Sequence, residues 1–204
     1  MDTPLKALVL NCTLKPSPGA SSTDVITDQL LAELDSHGVA GETIRVVDYD
    51  DVKPGVEADM GHGDQFPEIL ERIKAADILV FGTPTWVGHM SSVAQRVLER
   101  LDSALSETDE AGRPIMFGKV AIVAVVGNED GAHKIIADAF QGLNDIGFTI
   151  PAQGGTYWNH EAMNPKDYKD LEETPAAVAA TNKTATTNAV HLARQLSQAQ
   201  YPGN

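Results

Sequence analysis

The chain predicts an α/β fold: a five-stranded, doubly wound parallel sheet in the order 2-1-3-4-5, with helices on both faces. Three observations lead there. Short β-branched runs alternate with helically spaced apolar residues, the pattern of βαβ units. The central runs, Ile78-Leu79-Val80-Phe81 and Val120 through Val126, are apolar at successive positions, as in strands covered on both sides. No Gly-x-Gly-x-x-Gly follows the first run, which favours the order 2-1-3-4-5 over the dinucleotide-binding one.

The elements follow in turn. Strands are expected at residues 6–10, 43–47, 78–81, 120–126 and 148–151. Between them, helical spacing joins Val25, Ile26, Leu30 and Leu34, then Ile69, Leu70 and Ile73, then Val93, Val97, Leu98 and Leu101, then Ile135, Ile136, Ala139, Phe140 and Leu143. A last helix is expected over 176–200, with Val190, Leu192 and Leu196 facing inward. Two long irregular stretches remain, 48–65 and 153–174; loops of that length in a compact domain are usually functional or interfacial.

Length and composition bound the function. The 204 residues suit a single domain, 1–204. Hydrophobic residues make up 42% and charged residues 22%, ordinary for a globular protein. No apolar stretch approaches the ~20 residues of a membrane helix, and the start MDTPLKALVLNC has neither a basic leader nor a long apolar segment; the expected location is the cytoplasm, with no membrane partner. Cys12 is the sole cysteine, which rules out an internal disulfide. A formal net charge of -14 repels phosphate backbones and argues against nucleic acid. The surplus acid reads as a solvated surface ahead of a docking face for a basic partner.

In a sheet of this order, the crossovers leaving strands 1 and 3 go to opposite faces, and a crevice opens between their carboxyl ends. Three loops meet there. The first, Asn11 to Thr23, carries hydroxyls at Thr13, Ser17, Ser21, Ser22 and Thr23, a cation at Lys15, and Gly19. Short hydroxylated residues at a helix start surround a phosphate with donors without crowding it. Ser22 or Thr23 also reads as a plain N-cap, a role compatible with phosphate binding. No Walker A sequence is present. Cys12 lacks the arginine that clamps phosphate in low-molecular-weight tyrosine phosphatases: Pro18 stands in the expected region and no arginine precedes Arg45.

The second loop, Gly82-Thr83-Pro84-Thr85-Trp86-Val87-Gly88-His89-Met90-Ser91-Ser92, sets an aromatic beside proline and glycines, a wall suited to a flat ring. Ser91 or Ser92 caps the helix after it. The third, Gly127-Asn128-Glu129-Asp130-Gly131-Ala132-His133, has glycines that let backbone N–H groups approach a ligand edge. Asp59, His62 and Asp64 have the residue types of a metal site, yet they are scattered on an acidic loop and read as solvated; no metal is expected.

The run from Gly82 to Ser91, continuing to Arg96 and Arg100, resembles the strand-3 loop of flavodoxin-like NAD(P)H-dependent FMN oxidoreductases and quinone reductases, whose pattern is Gly-Thr/Ser-Pro-x-aromatic-x-Gly-x-Met-Ser. The likeness is specific over that decapeptide; over 5–157 it rests on strand order and loop placement. It implies FMN in the crevice, with NADH or NADPH as donor and a quinone or free flavin as small acceptor. The phosphate would lie against Thr13, Lys15, Ser21, Ser22 and Thr23. The ring would be lined by Pro84, Thr85, Trp86, Val87 and Gly88 on one side, and by Gly127, Asn128, Glu129 and Gly131 on another. On this reading no side chain performs the chemistry, with His133 the nearest proton-relay candidate.

The resemblance further implies a homodimer or homotetramer, in which Tyr157 to His160 either cover a neighbour's flavin or pack in their own domain. The first loop departs from the family: Asn11-Cys12-Thr13-Leu14-Lys15 stands where many FMN reductases carry Gly-Ser-x-Arg. The principal rival is a flavodoxin-type electron carrier, whose acidic surface would dock basic redox proteins. Its fold needs fewer residues than this chain has.

Overall fold

The computed structural model describes residues 4–160 and 162–203. β1 (Lys6–Asn11) and β5 (Val120–Val126) form where apolar runs predict them, and β3 (Ile78–Trp86) runs further than its apolar core. With β2 (Ala40–Arg45) and β6 (Gly155–Trp158) they form one parallel sheet in the order β2-β1-β3-β5-β6, and β4 (His89–Met90) pairs antiparallel with the end of β3. Leaving out that hairpin partner, this is the expected 2-1-3-4-5 order. The register sets Leu10 opposite both Ile44 and Phe81, and Phe81 opposite Val123.

Alternate strand residues serve opposite faces, as the pleat requires. Leu8, Leu10, Leu79, Phe81, Val123 and Val125 pack under α2 (Phe66–Ala75), α3 (Ser92–Leu101) and α4 (Ala132–Ile146). Val9, Ile78, Val80, Ile122 and Ala124 pack under α1 (Ser22–Ser36) and α5 (Ala176–Gln198). Each helix buries an apolar stripe, Ile26, Leu30 and Leu34 in α1 for example. Helix coverage on both faces explains why the central strands lack polar alternation.

Two strands differ from expectation. The second lies at Ala40–Arg45, not 43–47, and a 3₁₀ turn, Val46–Asp48, takes up its expected end. It is an edge strand with its first four residues exposed, so burial leaves little apolar signature. The last strand lies at Gly155–Trp158, not 148–151. Thr149 makes an isolated bridge to Val120, after which Pro151, with no N–H to give, interrupts the ladder. Gly154 closes a tight turn on the Pro151 carbonyl (3.1 Å), and pairing resumes as Gly155 meets Val123. Tyr157 and Trp158 therefore belong to a strand and not to the loop after it.

Residues 82–92 also form more structure than a loop. Thr83 and Pro84 continue the ladder opposite Val125 and Val126. The chain then reverses through Val87 (φ 52°) and Gly88 (φ 70°), the two left-handed residues of a tight hairpin turn.

Candidate functional site

β1, β3 and β5 end side by side, and a cleft opens beyond their carboxyl ends. It is lined by Thr13, Lys15, Ser21, Ser22 and Thr23 at one end, and by Pro84, Thr85, Trp86, Gly127, Asn128 and Glu129 at the other. The three loops singled out in the sequence thus converge.

The first loop forms a cup over the start of α1. Ser21, not Ser22 or Thr23, is the N-cap, its Oγ accepting from Thr23 N at 3.1 Å. That leaves Ser22 and Thr23 in the first turn, at the positively polarised end of the helix, with the Thr23 N–H already taken up by the cap. Thr13 N donates to Asn11 Oδ1 (3.0 Å) and Lys15 N to Thr13 Oγ1 (3.3 Å), which bends the backbone around the cup. At the loop's far side, Ser17 donates to Asp48 through both its N–H (2.7 Å) and its Oγ (2.6 Å).

The other end is a slot formed where β3 and β5 stop side by side. Trp86 is 48% exposed at its rim. Thr85 is buried, and its Oγ1 is the one buried side-chain polar atom among the described residues with no hydrogen-bond partner. Gly127 faces it so closely that a Cβ there would lie 3.0 Å from Thr85 Cβ. Asn128 is held from behind: its Nδ2 donates to Asn164 O (2.7 Å), and its carbonyl accepts from Met163 N (2.6 Å). These two bonds fix the place of the Asn128 side chain in the wall.

Val87, Gly88, Gly131 and His133 are not among the cleft-lining residues. Val87 projects into solvent at the hairpin tip, 84% exposed. Gly88 and Gly131 pack backbone to backbone, such that a Cβ on Gly131 would stand 2.8 Å from Gly88 O; their service to the slot is to join its second and third loops. His133 is exposed and makes an edge contact with Tyr157 (centroids 4.9 Å apart). Trp158 is buried against Tyr168 and α5 in its own chain. Cys12 is fully buried beneath the cup, and burial pushes its thiol far above the ordinary range, which removes it as a nucleophile.

Asp64, one of the three metal candidates, is fully buried against Arg100, its Oδ2 2.6 Å from Nη2. Burial acts to raise its carboxyl, but the bond from Arg100 and the N–H groups of Met60, Phe66 and Lys53 outweigh it and hold the group well below the usual range. Among the described residues no three metal-ligating side chains gather in one place.

Several participants carried no sequence signal strong enough to find them. Leu14 and Asp167 also line the cleft. Lys169 lies beside the cup, where its N–H reaches Ser22 Oγ (3.3 Å) and its ammonium pairs with Asp167 (3.0 Å) and Asp170 (2.9 Å). Arg45, at the end of β2, reaches under the cup to Lys15 O and Gly19 O. Its one hint was position, as the sole arginine before Arg72 and close to the carboxyl edge of the sheet.

The donor set suits FMN. Hydroxyls, a helix start and Lys15 fit a phosphate ester, while Gly127 packs directly on Thr85, so that the ends of β3 and β5 make a continuous surface next to Trp86.

Comparison with known proteins agrees. The family described as NADPH-dependent FMN reductase matches residues 5–164. The chain is 36% identical over 199 residues to a divalent metal cation transporter, MntH, of Mycobacterium bovis, spanning 94% of this chain but only 29% of that protein. It is 32% identical over 210 residues to 8-demethyl-8-aminoriboflavin-5'-phosphate synthase of Streptomyces davaonensis, covering 97% of this chain and 80% of that one. Among the described residues no helix is long and apolar enough to cross a membrane.

Among solved structures, RosB with bound 8-demethyl-8-formylriboflavin-5'-phosphate superposes with a TM-score of 0.85 at 29% identity, over 97% of this chain and 82% of that one. A flavone reductase (TM-score 0.68, 15% identity, 98% and 66% covered) and an archaeal flavodoxin (0.54, 14%, 92% and 100%) share the fold.

Proposed function

Since the chain belongs to the NADPH-dependent FMN reductase family and is an FMN-dependent oxidoreductase of flavodoxin-like fold, we propose that it passes electrons from a reduced nicotinamide to a small acceptor, a quinone or a free flavin. The observation that carries this reading is the convergence of three loops on one cleft, with phosphate-type donors at one end and Trp86 beside the ends of β3 and β5 at the other. FMN, when bound, supplies the two-electron redox chemistry. The protein's own groups bind and orient it. Thr13, Ser21, Ser22, Thr23 and Lys15 hold the phosphate. Pro84, Thr85 and Trp86 would line one side of the ring, and Gly127, Asn128 and Glu129 another, with Gly88 and Gly131 packed together to keep the two loops in register and Val87 at the exposed hairpin tip.

The test is anaerobic mixing of the flavin-loaded protein with NADPH or NADH. Rapid bleaching of the yellow colour, followed by recolouring with a quinone or free flavin, is the expected result. Bleaching only by a reductase protein would instead indicate a flavodoxin-type carrier.

A second reading has its own support: the relative at 32% identity is named for making a modified flavin phosphate, and the structure at TM-score 0.85 holds one. On that reading the flavin nucleotide is substrate. The mass of the nucleotide released after turnover decides, with unaltered FMN favouring the oxidoreductase. Assembly as a homodimer or homotetramer is proposed with it, because Trp86, Val87, Tyr157 and Met163 leave apolar surface exposed; light scattering at known concentration reads it directly.

A further inference from the structure

Beneath the cup lies a network that the cleft itself does not show. Arg45 Nη1 donates to Gly19 O (2.9 Å) and Lys15 O (3.2 Å), two carbonyls of the first loop 26 and 30 residues away in sequence. Its Nη2 pairs with Asp24 in the first turn of α1. The other oxygen of Asp24 accepts from Asn11 Nδ2, and Asn11 Oδ1 accepts the Thr13 N–H (3.0 Å). Asn11 is fully buried and the Arg45 side chain is 12% exposed. One guanidinium thus ties the end of β2 to both sides of the loop and to the helix on which it rests.

The consequence follows from peptide geometry. In a planar trans peptide the carbonyl and the next N–H point opposite ways. With the Gly19 carbonyl drawn to Arg45, the Ala20 N–H is turned away from the guanidinium, and the chain enters Ser21 with its capping geometry set. Asp24 already offsets the charge of Arg45, so the side chain contributes shape more than field.

We infer that Arg45, with Asp24 and Asn11, is a positioning residue on the neighbouring strand that pre-assembles the phosphate cup. This rests on the reading of the cleft as a flavin nucleotide site. Preorganisation of this kind strengthens binding by reducing what must be ordered when the ligand arrives.

The test compares FMN with riboflavin, which has the ring but no phosphate. Dissociation constants for both are measured by fluorescence quenching on flavin-stripped wild-type protein, Arg45→Met, and the double variant Arg45→Met/Asp24→Asn. FMN affinity is expected to fall about tenfold or more in Arg45→Met, as for loss of charge-assisted hydrogen bonds, while riboflavin affinity stays within about twofold. The double variant is expected to remain as weak for FMN. Restoration of wild-type affinity in the double variant would overturn the inference, since only the unpaired Asp24 charge would then have mattered. Equal losses for both ligands, or none, would overturn it too. Should Arg45→Met not fold, Arg45→Lys carries the same comparison with the same thresholds, because a single ammonium does not reproduce the planar fork with which the two guanidinium nitrogens reach the loop and the helix. A wild type that binds neither flavin defeats the site reading, and this inference with it; one that binds both equally defeats this inference alone.

Discussion

Thr85 shows how a single side chain can be out of balance with its surroundings. The nearby buried hydroxyls are engaged: Thr83 Oγ1 donates to Pro84 O and accepts from Ser91 N, and Ser91 Oγ donates to Cys12 O. Thr85 Oγ1 has no such partner, and an unpaired buried hydroxyl costs about 1–3 kcal/mol. Thr85→Val keeps the shape and removes the group, so flavin-free protein is expected to gain about 1 kcal/mol in a denaturant titration; a loss would mean the hydroxyl is satisfied in solution. Cys12 makes the complementary point. Its burial predicts that maleimide labels the folded protein only at the rate of its opening and labels the urea-unfolded chain at once, as mass spectrometry of timed samples would read. Residue types at the cleft were legible in advance because loops at the carboxyl edge of a parallel sheet have few other duties. The Arg45–Asp24 pair was not, since its partners stand 21 residues apart and neither belongs to a motif.

Among elements, the stretch 48–65 departs furthest from expectation. Its length suggested a functional or interfacial loop, and Arg100 of α3 ties its backbone to the core. The guanidinium is fully buried, donates to the carbonyls of Lys53, Glu57 and Ala58 at 2.9–3.1 Å and to both oxygens of Asp64, and lies 4.4 Å from the Phe66 ring centre. Removing one partner leaves the other charged and unpaired in the interior, so Asp64→Asn is expected to cost about 3–5 kcal/mol by chemical denaturation. The pH dependence has a definite sign. The Asp64 carboxyl is depressed in the fold, so its contribution is fully present above the unfolded value of about 4 and is lost as pH falls through the lower native one. Wild type should therefore lose stability on acidification below about pH 4 more steeply than Asp64→Asn does; parallel curves would refute the assignment. Helices and central strands were legible because their apolar periods have one physical cause. The edge strands were not: β2 has too little burial to leave a pattern, and Pro151 divides the last strand.

For the whole molecule, the fold class was readable because alternation of strand and helix constrains topology strongly. A phosphate and a flat ring were readable from the loop residues, FMN itself only through the Gly82 to Ser91 resemblance, and the acceptor is not encoded in any such motif. Because the proposed ligand bridges loops from three strands, its binding should stabilise the folded state globally. FMN at a hundredfold excess over its dissociation constant adds about 2.7 kcal/mol, roughly 5–10 °C in melting temperature for a chain of this size. Scanning calorimetry with FMN and with riboflavin checks this, and an unmoved transition with FMN would count against the cleft as the site.

The segment 163–169, beyond β6, touches both ends of the cleft. Met163 and Asn164 grip Asn128 at the slot, and a few residues on, Lys169 reaches Ser22 at the cup and the Tyr168 hydroxyl reaches Gln29 of α1 (2.7 Å). It works as a brace between the two halves of the cleft, outside the sheet. A single proteolytic nick there would spare every strand and slacken both ends of the cradle together, so a bound nucleotide should protect this short stretch from cleavage out of proportion to the surface it covers.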